Sequence, residues 1–382
     1  MKVISLLSAA ALATALAASG FCEESVHENV NARTSQNSGM LAHDMNGNRS
    51  NSYNSSSYSS SSTKMDDGKT VSNSVHGCVN GFSLQAEFLW WRAQIDHLEY
   101  AVNNGATPPA AAPFVTSGRV KEPDFSFDPG VRVSAGYDFG KENWDLFLRW
   151  TYQDTTASGN TGTTAIPNGV VPLRDFTTNQ GTVTVSVADT ANATWKNTLN
   201  VFDIEMGYDY FLSRRCSLRP FMGIKAAWID SSYKSRMQNV TFNQQGTIEF
   251  VEVNSKSDYW GVGPQVGMEG NLHIGWGFSV YGLTSAALVY GQYESSFSQQ
   301  ESTSGNHFRE KNDGYSRQRA MAQIALGLEW AWCFSGDYLL AFKLGWEGQY
   351  WWNQHELLFA QEATYNGDLT YTGLSAGMRF DF

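Results

Sequence analysis

The sequence predicts an all-β fold, a transmembrane antiparallel up-and-down β-barrel of about ten strands, with twelve possible. Three observations carry that expectation. Ten segments alternate apolar and polar residues with a period of two, which gives an extended strand one greasy and one polar face. The connections between these segments alternate long and short along the chain. Aromatic residues gather near both ends of the segments. Transmembrane barrels combine a lipid-facing apolar band, a polar interior, long outer loops, short inner turns and two aromatic girdles. A soluble sandwich has no physical reason to sort its loops by length.

Composition agrees. The chain is 42% apolar, only 16% charged and 14% aromatic, with 13 Trp and 35 Gly. A mean hydropathy of −0.35 argues against a bundle of membrane helices, each of which needs about 20 consecutive apolar residues. The formal net charge of −11 argues against nucleic acid as a partner, since such proteins present a basic patch.

At the N-terminus, Lys2 and the apolar run from Val3 to Ala18 read as a secretory signal, with cleavage points at Ala15 and Ala17 or at Ala18 and Gly20. Residues 1–20 are expected to be removed on export. Phe21 stands before Cys22 where a lipoprotein needs a small residue, so lipidation is not expected. Residues 21–77 form a Ser/Asn-rich tract with few large apolar side chains. Such a tract buries too little surface to offset its chain entropy, and a disordered periplasmic segment is expected. The barrel is assigned to residues 78–382.

The strands follow in order. The first sets Phe82, Leu84, Ala86, Phe88 and Trp90 against Ser83, Gln85 and Glu87. The second sets Val131, Val133, Ala135, Tyr137 and Phe139 against Arg132, Ser134 and Asp138. In the third, Trp144, Leu146, Leu148, Trp150 and Tyr152 oppose Asp145 and Arg149; in the fourth, Phe202, Ile204, Met206, Tyr208 and Tyr210 oppose Asp203, Glu205 and Asp209. The fifth turns Leu218, Met222, Ile224 and Trp228 outward, against Arg219 and Lys225. The sixth turns Trp260, Val262, Val266 and Met268 outward, against Gln265 and Glu269. The seventh, 278–290, alternates poorly. The eighth opposes Ile324, Leu326, Leu328, Trp330 and Trp332 to Gln323 and Glu329. The ninth opposes Tyr338, Leu340, Phe342, Leu344 and Trp346 to Lys343, Glu347 and Gln349. The tenth ends the chain on Leu374, Ala376, Met378, Phe380 and Phe382, with Arg379 and Asp381 between them. A terminal aromatic strand of this kind suggests the signal by which barrels are recognised for assembly, carried by Phe382, Phe380 and Met378.

Stretches 93–126, 154–193, 232–256, 292–316 and 353–367 read as long connections, and 140–143, 212–216, 272–276 and 334–336 as short ones. This places both barrel ends on the periplasmic side. Leu98 to Val102, Val183 to Val187 and Ile248 to Val253 also look extended, and are expected to lengthen neighbouring strands beyond the membrane.

The inward charges are the candidate pore lining: Glu87, Arg132, Asp138, Asp145, Arg149, Asp203, Glu205, Asp209, Arg219, Lys225, Glu269, Glu329, Lys343, Glu347 and Arg379. With Asp381 and Arg319 included, acids outnumber bases. A ring of charge in a water-filled path sets ion preference, so mild cation preference is expected. Small barrels also fill their interiors with side chains, so a plugged lumen in a surface adhesin or structural envelope barrel is the alternative. Loops rich in Asn, Thr, Ser and Gly suit surface recognition. Four cysteines, Cys22, Cys78, Cys216 and Cys333, face an oxidising compartment after export, and are candidates for disulfides within or between chains. No cofactor and no metal cluster is expected.

The stretch Gly81-Phe82-Ser83-Leu84-Gln85-Ala86-Glu87-Phe88-Leu89-Trp90-Trp91-Arg92, followed by Phe127-Asp128-Pro129-Gly130-Val131-Arg132-Val133, Gly136-Tyr137 and Trp144-Asp145-Leu146, resembles the Legionella-type pore-forming major outer membrane proteins, numerous also in chlamydia-like bacteria. The resemblance covers residues 81–382 and implies an abundant outer-membrane porin, with outer-membrane lipid, the barrel assembly machinery and further copies or disulfide-linked envelope proteins as partners. Envelope stiffening by disulfides is likewise implied by that resemblance. Proteases of the omptin kind are also ten-stranded, with Asp and His at the outer rim. Here Asp96, His97, His307 and His355 lie in long connections without the spacing of a paired acid and base, and no enzyme is expected.

Overall fold

A computed structural model describes residues 81–103, 118–140, 143–162, 169–173, 176–178, 181–183, 186–242, 246–302, 307–334, 338–359 and 363–382. The signal, the Ser-rich tract, Cys22 and Cys78 lie outside the described residues. Ten long strands run β1 (Phe82–Ile95), β2 (Phe127–Asp138), β3 (Trp144–Gly162), β4 (Thr190–Tyr208), β5 (Cys216–Phe242), β6 (Gly246–Gly275), β7 (Phe278–Glu301), β8 (His307–Phe334), β9 (Tyr338–Phe359) and β10 (Ala363–Asp381). Each pairs antiparallel with its neighbour in the chain, and β10 pairs with β1. The sheet is therefore a closed ten-stranded barrel. Closure reaches the last residue, because Phe82 N donates to Phe382 O and Phe382 N to Phe82 O, both at 2.9 Å. In hydrocarbon this matters, since each unpaired backbone group on an open edge would cost several kcal/mol.

The period of two becomes two unlike walls. Ile204, Ile224, Leu328 and Leu344 stand about half exposed on the outside, and every strand contributes large apolar residues to that face. A water-borne monomer rarely exposes apolar patches beyond a few hundred Å², whereas a lipid-facing wall needs this band. Trp90, Trp228, Trp260 and Tyr290 mark its long-loop edge, and Phe139, Tyr210, Trp276, Trp332 and Phe382 its short-turn edge. Trp228 and Trp260 are direct cross-strand partners. At the β6–β7 turn, Trp276 and Gly277 both take left-handed backbone, φ 54° and 82°, the requirement of a two-residue hairpin whose twist matches the strands.

The strands outrun their sequence assignments. β5 and β6 remain paired from Cys216↔Leu272 to Phe242↔Gly246, so the expected long connection 232–256 is mostly one hairpin rising past the girdle. The expected connection 292–316 is likewise largely β7 and β8, paired as far as Gln300↔His307. Ile248–Val253 lengthens β6 as expected. The Leu98–Val102 stretch does not lengthen β1: Ala101–Asn103 pairs with Arg119–Lys121 and Val170–Pro172 in a separate three-stranded sheet. Ala101 and Val170 of this sheet, with Leu98 and Tyr100 just before it, join the barrel core. β7 alternates poorly in sequence because its inner wall is itself apolar, with Tyr281, Ala287 and Val289 buried.

Candidate functional site

The lumen enclosed by the ten strands divides by height. Toward the short turns its wall is charged. Arg132 reaches Glu87 at 2.8 Å and Glu347 at 2.7 Å, and Gln323 donates to Glu347 at 2.7 Å. Arg219 Nε donates to Asp145 at 2.6 Å and stands 3.8 Å from Glu205, which Arg149 meets at 3.0 Å. Lys225 and Asp203 form a buried pair at 2.6 Å. Lys343 lies 3.3 Å from Glu269 and 3.2 Å from Glu329, and Arg379 joins through Glu329 at 4.0 Å and Asp381 at 3.2 Å. At the rim, Asp138 accepts from Gly140 N at 2.7 Å. Burial makes such pairs matter, because an unpaired charge in low dielectric is far costlier than one in water.

These groups surround a cavity of about 1190 Å³ of empty space, solvent at its mouth included, at the short-turn end. Eleven of the expected pore-lining residues line it, together with Asp381; Asp203, Glu205, Lys225 and Glu329 sit in the wall behind. The sequence assignment of inward charges therefore places all fifteen on the inner wall, most of them around one chamber.

Toward the long loops the inner wall changes character. Leu89, Trp91, Ala93 and Ile95 of β1, Trp195 and Leu199 of β4, Tyr233 of β5, Tyr259 of β6, Tyr293 and Phe297 of β7, Trp351 of β9 and Tyr371 of β10 form one buried apolar cluster. Trp91, Trp195, Trp351, Tyr233, Tyr259, Tyr293 and Tyr371 are all under 2% exposed. Asn197 donates to Tyr371 Oη across the bore at 2.7 Å, while between adjacent strands Trp195 Nε1 donates to Ser231 at 2.8 Å and Tyr259 Oη to Val289 O at 3.2 Å. The buried Nε1 atoms of Trp91 and Trp351 have no hydrogen-bond partner among the described residues. The Arg132 guanidinium lies 5.3 Å from the Trp91 ring, where the charged half meets the aromatic half. A sequence rule that gave polar residues to the lumen missed this layer. Its trace is visible in adjacent aromatics such as Trp90-Trp91, Tyr259-Trp260 and Tyr350-Trp351, one ring for each wall.

Arg319, read as a pore charge, lies in this upper half with Glu356. Asp96 and His97 lie beside Gly367, and His355 is buried at 2% exposure. Among the described residues no group of three or more His, Cys, Asp or Glu is placed to hold a metal. The described cysteines, Cys216 and Cys333, stand at the short-turn end of β5 and β8, and neither is a free thiol.

The family described as Legionella pneumophila major outer membrane protein precursor matches residues 77–382. The chain belongs to this family. It is an outer-membrane β-barrel protein. No curated protein sequence matches it. Among solved structures the similarities are distant: the outer membrane protease OmpT of Escherichia coli has 11% identity and a TM-score of 0.43, over 79% of this chain and 97% of that one. The toluene transporter TodX of Pseudomonas putida has 5% identity and a TM-score of 0.27, over 80% and 90%. The transport unit of the autotransporter AIDA-I of Escherichia coli has 8% identity and a TM-score of 0.24, over 79% and 90%.

Proposed function

We propose that this barrel is an outer-membrane pore for small hydrophilic solutes or ions, closed in the state described here, with mild cation preference. The observation that carries the reading is the charge-lined chamber at the short-turn end. A barrel serving only as a scaffold gains nothing from keeping ionised groups around a solvent-open chamber. Seven carboxylates line the chamber against five cationic side chains, and a surplus of negative charge in a confined path favours cations. Ion flux into liposomes carrying refolded protein tests this. A reversal potential across a salt gradient that moves toward the cation limit supports the reading, and one toward the anion limit refutes the preference.

A second reading, a surface or structural barrel with a filled lumen, is favoured by the aromatic layer across the upper bore. Liposomes that stay tight to ions under all conditions would select it. Export through cleavage near residue 20 belongs to either reading and predicts a mature N-terminus close to residue 21. Phe382, Phe380 and Met378 are proposed as the signal read by the assembly machinery, so a chain lacking Phe382 should accumulate unfolded in the periplasm. The rim cysteines Cys216 and Cys333 are proposed to be held in disulfides within the chain, and thiol labelling of the unreduced, denatured protein that modifies either would remove that proposal.

A further inference from the structure

The upper part of β9 departs from every other strand. From Gln354 to Leu358, five consecutive residues are buried, at 4%, 2%, 4%, 0% and 6% exposure. A strand in a barrel wall buries one face and shows the other. This segment has parted from β8, whose pairing with β9 stops at Met321↔Trp351, and turns inward while still paired with β10 from His355↔Gly367 to Phe359↔Ala363. The departure begins at a bulge. Trp351 pairs with Leu369 and His355 with Gly367, so β9 spends four steps where β10 spends two. Asn353 supplies the turn with φ 51°, left-handed backbone that Asn tolerates better than most residues. Asp368 pins it, accepting from Asn353 N at 2.8 Å and from Tyr350 Oη. Such bulges bend the strand that carries them.

Beyond the bend the segment reaches across the bore to strands that are not its neighbours. Tyr293 Oη on β7 donates to Gln354 O at 3.0 Å, Ser295 on β7 to Glu356 O at 3.4 Å, and Ser255 on β6 to Leu358 O at 2.6 Å. In the sheet, β8 alone separates β9 from β7, while β7 and β8 both separate it from β6. The Glu356 carboxylate is ion-paired with buried Arg319, whose Nε also donates to Tyr293 at 2.8 Å.

We propose that residues 354–358, together with residues 364–367 of β10 to which they stay paired, are a lid over the lumen, hinged at Asn353 and Asp368 and latched by the Arg319–Glu356 ion pair. Each of these bonds to β6, β7 or β8 is made through a side chain of those strands, and so can break while the segment keeps its backbone pairing with β10 and the ladder that closes the barrel stays intact. The inference regulates the proposed pore, and rests on that reading only for its effect on conduction.

Hydrogen exchange of the full chain in detergent micelles tests the lid without reference to flux. In Glu356→Gln, amides of residues 354–358 and of their β10 partners 364–367 should exchange at least tenfold faster than in the parent, while those of residues 340–350 in β9 keep their rates. Ser255→Ala, a milder change that leaves the ion pair in place, should accelerate the same amides by a smaller factor. Unchanged exchange at 354–358 in both variants, or equal acceleration along all of β9, would overturn the lid. If exchange accelerates locally and planar bilayers show more frequent openings, lid and pore both stand; local acceleration without any conductance keeps the lid and sinks the pore.

Discussion

The two halves of the lumen share ten strands, one hydrogen-bond ladder and one lipid-facing wall, yet their inner walls are built from opposite chemistry. Near the short turns, Arg132, Arg219, Lys343 and their carboxylate partners surround a cavity. Near the long loops, Trp91, Trp195, Trp351 and Tyr371 leave almost no exposed surface. The difference teaches that in this barrel the outer face fixes where the chain sits, while the inner face is free to be a chamber at one level and a core at another. Residues two steps apart on one strand make the change: Glu87 is inside the charged half, and Leu89 and Trp91 are inside the apolar one.

Substitutions can break or sharpen that contrast. The largest expected effect is in the apolar half. Trp91→Ala and Trp351→Ala should each cost about 3–5 kcal/mol, the range for emptying a packed aromatic site, measured by urea unfolding of the folded protein in micelles. A cost near zero would mean that the upper bore is not a core. In the charged half, Arg132→Ala strands Glu87 and Glu347, and should cost about 3–5 kcal/mol, as for a buried pair that loses one partner. The outer wall gives the next effect. Ile204→Arg places a cation on the lipid face, for about 2–4 kcal/mol near the midplane of a bilayer and less toward its edges. At a water-exposed site the same change would stay within about 0.5 kcal/mol. The smallest effect is expected from Lys225→Met with Asp203→Leu, which removes both members of the buried pair at once and should be neutral or mildly stabilising. A large loss there would show that the pair does more than neutralise itself.

Much of this was legible in the sequence. Strand number, pairing order, the outward faces and the inward charges all follow from the period of two, because lipid imposes one rule on every strand from Phe82 to Phe382. The inner wall obeys no single rule, since water, an ion pair or a packed ring can each satisfy it. Tyr281, Ala287 and Val289 therefore blurred β7, and Trp91 and Trp351 were hidden beside outward rings. The height of the strands was hidden for another reason. Beyond the girdle neither face meets hydrocarbon, so hairpins such as 231–257 lose their greasy outer face and read as loops. The lid was beyond reach, because its burial depends on Asn353 and Asp368 bending β9 across partners far away in the chain.

Single-channel recording of refolded protein in planar bilayers tests the divided lumen most directly, comparing the parent with Trp91→Ala/Trp351→Ala. The parent should show rare, brief openings, and the double variant frequent cation-preferring steps, because the layer that closes the upper bore has been thinned. Equal conductance in the two, whether both open or both silent, would contradict an aromatic seal standing between the charged chamber and the cell exterior.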